Sequence, residues 1–358
     1  MELTQDIPLT LSVKKQEIAD YLTAYLAKKR DEFSVFPLDR EAYDALVKLA
    51  VSGKILRGSI LVIVADSLVG KPLGEAPLIA ASALELLQTG ILVQDDVMDA
   101  DEKRRGQDAL HKTFAGLAGE MPAGLRRRFG ENAAVCIGDI AFFLSSDLLG
   151  SMPVDPVTLR RMIKLYSREM ALLGAAQIED LRITGISSAV TEAEILSMYT
   201  GKTARYSWIL PLLAALELSG KGELLSPEFE EIGRSAGLVF QLVDDRIGLF
   251  GDTDRTGKSV GGDVREGKKT LYYHYGLELL KGPELAQFRR FYGSRDLDEA
   301  GLRTVRDLLF TSGAAAKVDE LIDEYDHRTS DSIGRLPVGE TVRQVLTDLV
   351  SYVRRRER

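Results

Sequence analysis

Apolar side chains recur every three or four residues along most of the chain, which is the pattern of amphipathic helices. Two predicted helices, 54–69 and 75–99, are apolar on most of their circumference, as helices in the middle of a bundle are. Residues 100–130 are polar and broken, and we expect loops and short helices there. The predicted helices are 13–30, 39–51, 54–69, 75–99, 131–150, 156–183, 191–219, 227–250, 268–280, 283–291, 297–312, 314–333 and 338–356.

The helices are the only regular elements that the pattern predicts. We find no convincing β-alternating segment, no tandem repeat and no linker rich in Pro, Gly or Ser. The chain is therefore expected to be all-α, with residues 1–358 forming a single domain of roughly a dozen helices around a central cavity.

Composition excludes several classes of protein. Hydrophobic residues make up 45% of the chain and mean hydropathy is −0.04, which is typical of soluble proteins. No run approaches the roughly 18 uncharged apolar residues of a membrane helix, and the polar N-terminus is unlike a signal peptide. We expect no integral membrane segment and a cytoplasmic location. The net charge of −8 argues against nucleic acid as a partner.

The single cysteine, Cys136, excludes an internal disulfide framework. Its neighbours along the chain are apolar, and we therefore expect a buried structural thiol.

Three aspartates lie at the end of the apolar 75–99 helix. If the helix continues, Asp95 and Asp99 share one face and Asp96 lies beside them. Such a carboxylate cluster is unfavourable without a cation, and oxygen-only ligands suit Mg²⁺. Arg104 and Arg105 follow, where they could bind phosphate. The alternative is an acidic helix end with arginine counter-charges on a solvated face.

A second apolar helix also ends in an aspartate pair, Asp244 and Asp245, and is also followed by cations, Lys258 and Lys268. Two such segments can face each other across one cavity. Together they indicate a multi-metal site for a diphosphate.

Two further features could bind an anion. Lys54 and Arg57 lie in the predicted first turn of a helix, where backbone N–H groups favour an anion; a solvated Lys/Arg pair is the alternative. Gln88 lies two turns before Asp95 on the same face. A buried Gln that a neighbour satisfies is the alternative there.

The order of these motifs resembles the trans-prenyltransferase family, the isoprenyl diphosphate synthases, from Lys54 to about Thr270. Within that family it is most similar to bacterial geranylgeranyl-type synthases whose second motif reads DDxxG. The resemblance implies a homodimer, three Mg²⁺ ions per active site, and as substrates isopentenyl diphosphate and dimethylallyl, geranyl or farnesyl diphosphate.

The resemblance also implies roles for individual residues. Asp95, Asp96 and Asp99 match the first metal motif, with Asp95 and Asp99 as principal ligands. Arg104 matches the arginine that binds the allylic diphosphate. The residues that match the isopentenyl diphosphate site are Lys54, Arg57, Gln88 and Arg105. The second metal motif and its lysines are matched by Gln241, Asp244, Asp245, Lys258 and Lys268. The family's KT pair and QxxD motif are matched by Lys202, Thr203, Gln177 and Asp180.

The chain departs from the family pattern at several positions. The family's GGKRxRP reads SGKILRG here, with differences at Ser52, Ile55 and Gly58. Gly248 stands where the second motif usually has a third aspartate, which weakens the support for the third metal. Gln88 replaces a common His, and either side chain can donate to a phosphate oxygen.

The mechanism that the resemblance implies is ionisation, condensation and elimination. Metal ions and nearby cations neutralise the leaving diphosphate, so that an allylic carbocation forms. Oxygens of Thr203 and Gln241 stabilise the cation, the isopentenyl double bond attacks it, and the released diphosphate takes the proton. None of the three histidines lies in these motifs, in agreement with a reaction that needs no protein base.

Three rival functions fit less well. A class I terpene cyclase normally has an NSE-type second motif and lacks an isopentenyl site. A non-catalytic synthase subunit would have lost aspartates, whereas both pairs are present. A di-iron bundle needs two ExxH motifs, and the chain has one, Glu324 to His327.

Product length should depend on the residues before the first aspartate. In the family an aromatic residue four or five positions before it stops chain growth, and here Ile91 and Gly90 occupy those positions. Leu87 is the next barrier, which predicts geranylgeranyl diphosphate; farnesyl or longer products are the alternatives. At the C-terminus, Arg354 to Arg356 could close over isopentenyl diphosphate or could form a solubilising tail.

Overall fold

A computed structural model describes residues 6–186, 189–251 and 260–356 of the chain. These residues are almost entirely helical, which confirms the all-α prediction. The chain divides into two compact units, one of Met1–Leu165 with Leu213–Leu224 and one of Tyr166–Leu212 with Leu225–Arg358. A single domain over 1–358 therefore remains a prediction. Lys258 lies outside the described residues.

The first unit begins with four helices and a short hairpin. Its complete elements are α1 (Ile7–Phe33), α2 (Asp39–Val51), α3 (Leu56–Val69), α4 (Glu75–Met98), β1 (Lys103–Arg104), β2 (Gln107–Asp108), α5 (Leu110–Leu117) and α6 (Ala123–Gly150). The chain passes between the units within α7 (Pro156–Gly185), α9 (Leu210–Leu218) and α10 (Gly222–Phe250).

The two helices predicted to be central, α3 and α4, are buried along most of their length. Helix α4 packs against α3 and α6. The contact with α6 is close: a Cβ at Gly90 would lie 2.8 Å from the carbonyl oxygen of Gly138. A glycine at this crossing therefore lets the two backbones approach.

In the part of the chain that the structure describes, two helices are long and apolar enough to cross a membrane, Glu75–Met98 and Ala123–Gly150, each with a mean hydropathy of 1.6 over an 18-residue window. The prediction from sequence considered only runs without a charged residue. It does not exclude helices of membrane length that contain one or two charged residues. The window in α4 is 83% buried, as in the core helix of a soluble protein, and that in α6 is 44% buried.

Over its described residues, the second unit contains α8 (Glu192–Tyr199), a π-helix (Thr200–Ile209) and six further helices. Those six are α11 (Gly262–Glu266), α12 (Leu271–Leu279), α13 (Gly282–Phe291), α14 (Glu299–Thr311), α15 (Ala314–Gly334) and α16 (Glu340–Arg354). Side chains from α8, α10 and α11 to α15 form one apolar core that includes Tyr272, Phe288 and Leu309.

The structure corrects several local expectations. Helix α6 begins at Ala123 rather than 131, and the segment after α4 contains the two-residue strands of a hairpin. The helix predicted over 191–219 forms as two α-helices, α8 and α9, with the π-helix between them. Cys136 is exposed rather than buried, since it lies on a face of α6 that the described residues leave uncovered.

Candidate functional site

The first aspartate motif lies at the C-terminal end of α4, as the sequence predicted. Asp99 is the C-cap residue, and its N–H donates to the carbonyl of Asp95 at 2.8 Å. Asp95 and Asp99 are partly exposed, whereas Asp96 is 1% exposed. The motif therefore presents two accessible carboxylates and one that points inward.

The buried carboxylate of Asp96 binds Arg104. Arg104 Nε donates to Asp96 at 2.6 Å, and its guanidinium also lies 2.8 Å from Asp101 and 3.9 Å from Asp95. Burial raises the pKa of Asp96 to about 6, against the opposing charge of Arg104. Asp96 therefore orients the guanidinium of Arg104. The role of Asp96 as a metal ligand and the role of Arg104 toward the allylic diphosphate stay predictions.

The hairpin after α4 positions the paired arginines. Arg104 pairs with Gln107, and the two residues between them, Arg105 and Gly106, have φ of 54° and 77°. Positive φ at both central residues is the requirement of a type I′ turn. The turn separates the two side chains, so that Arg104 joins the aspartates and Arg105 reaches the end of α2.

Arg105 is held by groups that the sequence did not single out. Its Nη1 donates to the carbonyl of Leu49, at the end of α2, and lies 3.5 Å from Ser52 Oγ. A Cβ at Gly53 would lie 2.5 Å from Arg105 Nη2, so a larger residue there would displace the guanidinium from this position. Burial lowers the pKa of Arg105, and the charge of Glu85 opposes this shift.

The predicted Lys54 and Arg57 pair is placed differently than expected. Helix α3 begins at Leu56, after Ile55 in the left-handed region at φ 50°. Arg57 therefore lies in the first turn, but the exposed Lys54 precedes the helix. Only Arg57 lies among the first-turn N–H groups, which corrects the prediction for Lys54.

Gln88 is 4% exposed on α4, and its carbonyl oxygen has no hydrogen-bond partner among the residues that the structure describes. An amide can be placed in either of two orientations. The other orientation presents the NH₂ group here and offers a donor to a phosphate oxygen. This observation favours a ligand role for Gln88 over a satisfied buried amide.

The residues predicted to control product length do not share one face of α4. Ile91 lies one turn before Asp95, on its side of the helix, whereas Leu87, one turn further back, lies between that side and the flank of Gly90. Gly90 points toward α6 instead, and a Cβ there would lie 2.7 Å from the ring of Phe142. A side chain at position 90 would enter this helix contact, so we correct the expectation that Gly90 borders the growing product.

In the second unit, the π-helix carries the predicted Lys202 and Thr203. Lys202 Nζ lies 2.6 Å from a carboxylate oxygen of Asp180 on α7, and Thr203 Oγ1 donates to Gln241 Oε1 at 2.5 Å. Arg205 further ties the π-helix to α7 through the fully buried Glu169, at 2.7 Å. Such π-helical insertions occur frequently at functional sites.

The π-helix approaches α10 closely because two glycines face it. A Cβ at Gly237 would lie 2.4 Å from Ala204, and one at Gly233 would lie 2.8 Å from Ile209. Gln241 and Asp245 continue the same face at four-residue spacing. The glycines thereby bring Gln241 within hydrogen-bonding distance of Thr203.

The second aspartate motif also has one inward and one accessible carboxylate. Asp245 is 6% exposed and accepts hydrogen bonds from Tyr199 Oη and from Gln241 Nε2, the latter at 2.6 Å. Burial, and then the charge of Asp263, raise the pKa of Asp245 well above its ordinary value. Asp263 Oδ2 also lies 3.4 Å from the position of a Cβ at Gly248, where the motif lacks its third aspartate.

The C-terminal arginines bind within the second unit. Arg356 donates to Asp244 at 2.8 Å, and its guanidinium lies 4.4 Å from the ring centroid of Phe240. Arg354 forms ion pairs with Asp323 and Asp326 on α15. Because Arg354 and Arg356 are both bound in this way, they do not form a free solubilising tail. Arg356 contacts Asp244, which is a predicted metal ligand. Closure over isopentenyl diphosphate stays a prediction.

Two other predicted residues are placed without a clear role. Lys268 Nζ lies 3.1 Å from Glu266, and Gln177 lies on α7, three residues before Asp180. Their assignments stay predictions.

The oxygen donors of both motifs suit a hard divalent ion. Over the described ranges no group of three or more His, Cys, Asp and Glu side chains is preformed to hold one. Mg²⁺ usually takes only one or two carboxylates and completes its shell with water and substrate phosphates. Asp95 and Asp99 in the first motif fit this number of carboxylates, and so does Asp244 in the second.

A cleft of about 490 Å³ in the second unit is not this site. None of the predicted residues that the structure describes lines it, and its arginines Arg205, Arg234 and Arg328 are paired with Glu169, Glu230 and Glu324.

Sequence reasoning missed Glu85, Tyr199 and the glycines that face other elements. A glutamate inside an otherwise apolar helix was a signal for Glu85. The four-residue spacing of Gly233, Gly237 and Gln241 was a signal for the α10 contact. Tyr199 and Gly53 had no comparable signal, because their roles depend on partners distant in sequence.

Comparison with known proteins shows the family of the chain. A polyprenyl synthetase family model matches residues 39–309. The geranylgeranyl diphosphate synthase of Sulfolobus acidocaldarius is 30% identical over 272 residues, which are 75% of this chain and 76% of that protein. The geranylfarnesyl diphosphate synthase of Aeropyrum pernix is 26% identical over 327 residues, 90% of this chain and 96% of that protein.

A solved structure shows the same fold. The crystal structure of geranylgeranyl pyrophosphate synthase from Corynebacterium glutamicum, complexed with isoprenyl diphosphate and magnesium, superposes with a TM-score of 0.88. It covers 98% of this chain and 99% of that chain at 22% sequence identity.

Proposed function

Because the chain belongs to the polyprenyl synthetase family and is a prenyltransferase, we propose that it condenses isopentenyl diphosphate with allylic diphosphates to make geranylgeranyl diphosphate. The observation that carries the proposal is the family match over residues 39–309, which includes both aspartate motifs and the cations around them. The allylic substrates are dimethylallyl, geranyl and farnesyl diphosphate.

Isopentenyl diphosphate is bound without metal in this proposal. Arg57, in the first turn of α3, and Arg105, held by the hairpin, supply charge, and Gln88 supplies a neutral donor. Lys54 adds a long cationic side chain from the segment before α3. Guanidinium groups suit this task because they bind phosphate oxygens in a bidentate manner.

The allylic diphosphate is bound through a divalent metal, the cofactor that the family and the magnesium of the C. glutamicum structure indicate. Its identity as Mg²⁺ and the number of three ions belong to the proposal. When bound, the metal withdraws charge from the leaving diphosphate. Asp95 and Asp99 would hold metal at the first motif and Asp244 would hold metal at the second, and Arg104, Lys202, Lys258 and Lys268 would add positive charge.

The chain's own oxygens then stabilise the allylic cation. Thr203 Oγ1 and Gln241 Oε1 are fixed 2.5 Å apart by the contact between α10 and the π-helix. Fixed dipoles stabilise developing charge without reorganisation during the reaction. Isopentenyl diphosphate attacks the cation with its double bond, and the released diphosphate accepts the proton.

The product length follows from Ile91, one turn before Asp95 on α4, and from Leu87, one turn further back along the helix. Neither is aromatic, so chain growth continues beyond the farnesyl length, and Leu87 stops it one isoprene unit later. The similarity to a geranylfarnesyl diphosphate synthase favours a longer product as the second candidate, and farnesyl diphosphate is the third.

We further propose a cytoplasmic homodimer. Helix α6 exposes Phe143 at 76% and Val135 at 40%, an apolar surface that a second copy could cover. Burial of α4 within the first unit supports a chain without an integral membrane segment. Sedimentation analysis of the wild type and of Phe143→Glu tests this part: the variant should shift toward monomer.

The proposed activity is tested with purified protein, Mg²⁺, isopentenyl diphosphate and each allylic primer in turn, with products separated by chain length. We expect a main product of 20 carbons. A hydrocarbon formed from an allylic diphosphate alone would identify a terpene cyclase instead. No product with any primer would favour a non-catalytic subunit.

A further inference from the structure

Glu85 is a buried carboxylate among the groups of the isopentenyl diphosphate pocket. It lies on α4, three residues before Gln88, and is 3% exposed. Glutamate is almost never fully buried unless it is paired. Its contacts therefore show what it does.

The carboxylate of Glu85 caps the first turn of α3. The N–H of Gly58 donates to Glu85 Oε1 at 2.7 Å, and the N–H of Arg57 donates to the same carboxylate. The first four N–H groups of a helix lack partners within the helix. Helix α3 has no side-chain cap of its own, because its N-cap residue is Ile55. Glu85 fills this role from a neighbouring helix.

Glu85 also lies within the field of two arginines. The charges of Arg57 and Arg105 both stabilise its ionised form, and the Arg57 charge disfavours that of Arg105. Burial raises the pKa of Glu85, while the arginines and the two N–H groups act in the opposite direction. The carboxylate therefore compensates two like charges that repel each other.

We propose that Glu85 is a positioning residue for the isopentenyl diphosphate pocket, in which its carboxylate fixes Arg57 through the first turn of α3 and holds Arg105 toward the same ligand. This role rests on the proposed function. Glu85 does not touch the substrate; it acts through the two arginines.

Two physical roles of Glu85 predict opposite results. A carboxylate that only neutralises charge weakens the binding of an anion, so its removal would tighten binding. A positioning carboxylate keeps the guanidinium groups oriented, so its removal would weaken binding, because the freed arginines repel each other. The sign of the change in affinity separates the two roles.

The experiment compares Glu85→Gln with the wild type in the full-length protein. Calorimetry with isopentenyl diphosphate in the absence of metal measures the pocket alone, and steady-state kinetics gives KM for each substrate. We expect binding of isopentenyl diphosphate to weaken about tenfold, equal to about 1.4 kcal/mol. KM for the allylic substrate should change less than about twofold. Unchanged or tighter binding of isopentenyl diphosphate overturns the proposal.

Asp66→Asn is the matched control. Asp66 lies on α3, is 3% exposed and accepts a backbone hydrogen bond from Leu73 at 2.9 Å, but its ion-pair partner is Lys14 rather than a pocket arginine. It should lower thermal stability without changing KM for isopentenyl diphosphate. An equal rise in that KM for both variants would show a general structural effect and overturn the proposal.

Two further variants complete the test. If Glu85→Gln does not fold, Glu85→Asp keeps the charge but withdraws it from α3 by one methylene group, and it should weaken isopentenyl diphosphate binding in the same selective way. Arg57→Ala is the reference for the pocket itself. If Arg57→Ala has no selective effect, the pocket assignment of the proposed function is wrong. If Arg57→Ala has an effect and Glu85→Gln has none, only the role of Glu85 is wrong.

Discussion

The contact between α10 and the π-helix leads to a prediction about Gly237. A Cβ added at this position would lie 2.4 Å from both Cα and Cβ of Ala204. Ordinary carbon contacts are about 3.5 to 4.0 Å, so Gly237→Ala must push the two segments apart by roughly 1 Å. The hydrogen bond between Thr203 and Gln241, 2.5 Å long and one turn away, would lengthen with them.

The size of the effect follows from these distances. Overpacking of this kind destabilises a protein by about 1 to 3 kcal/mol. With an unfolding entropy of about 2.1 cal/mol/K per residue, 2 kcal/mol lowers Tm by roughly 3 °C for a chain of 358 residues. A misplacement of about 1 Å at catalytic groups can lower turnover by about two orders of magnitude. The variant should therefore lose far more kcat than stability.

The assay measures kcat at saturating substrates and Tm for Gly237→Ala and for Gly174→Ala. Gly174 lies within α7, and a Cβ there meets no described atom within 4 Å. Replacing a helical glycine by alanine in open space should stabilise the protein by about 0.5 to 1 kcal/mol. Ala204→Gly in the Gly237→Ala background should restore part of kcat. A Gly237→Ala enzyme with wild-type kcat would refute the reasoning.

Four other outcomes can be measured. Asp244→Ala should lower kcat by orders of magnitude, because it removes the accessible carboxylate of the second motif; a near-normal rate would contradict two metal-binding motifs. Arg57→Ala should raise KM for isopentenyl diphosphate more than KM for the allylic substrate in initial-rate kinetics. Arg356→Ala should lower the Mg²⁺ concentration needed for half-maximal activity, since Arg356 donates to the Asp244 carboxylate and would compete with a metal ion for it; an unchanged metal titration would show that the contact does not compete. Leu87→Ala should lengthen the product in chromatography, whereas Gly90→Phe should lower Tm through its contact with α6 instead of shortening the product.

The helices and the motif order could be predicted from sequence because both are local properties. The four-residue apolar period reproduced α2 residue for residue at 39–51, and it placed α4 within one residue of its observed end. The carboxylates at the end of α4 share a face because helical geometry alone puts Asp95 and Asp99 one turn apart. Motifs that combine such neighbours are visible without tertiary structure.

The parts that could not be predicted depend on groups distant in sequence. Gly90 was assigned to the product side of α4, but the orientation of a helix about its axis is decided by what packs on it, here α6. The role of Arg104 toward a diphosphate stays a prediction, but the sequence did not predict that the buried Asp96 is its hydrogen-bond partner. Local spacing does not distinguish a carboxylate that faces a ligand from one that faces an arginine.

The amino-acid sequence by itself determined the all-α class, most helix boundaries and the residue types of both metal motifs, since each follows from the chain's local periodicity and chemistry. Only the tertiary structure decided that Glu85 caps α3, that Gly53 leaves room for Arg105 and that Gly237 brings Gln241 to Thr203. These are contacts between helices, and their distances depend on how side chains fill the space between two backbones. A one-dimensional pattern carries no information about that space.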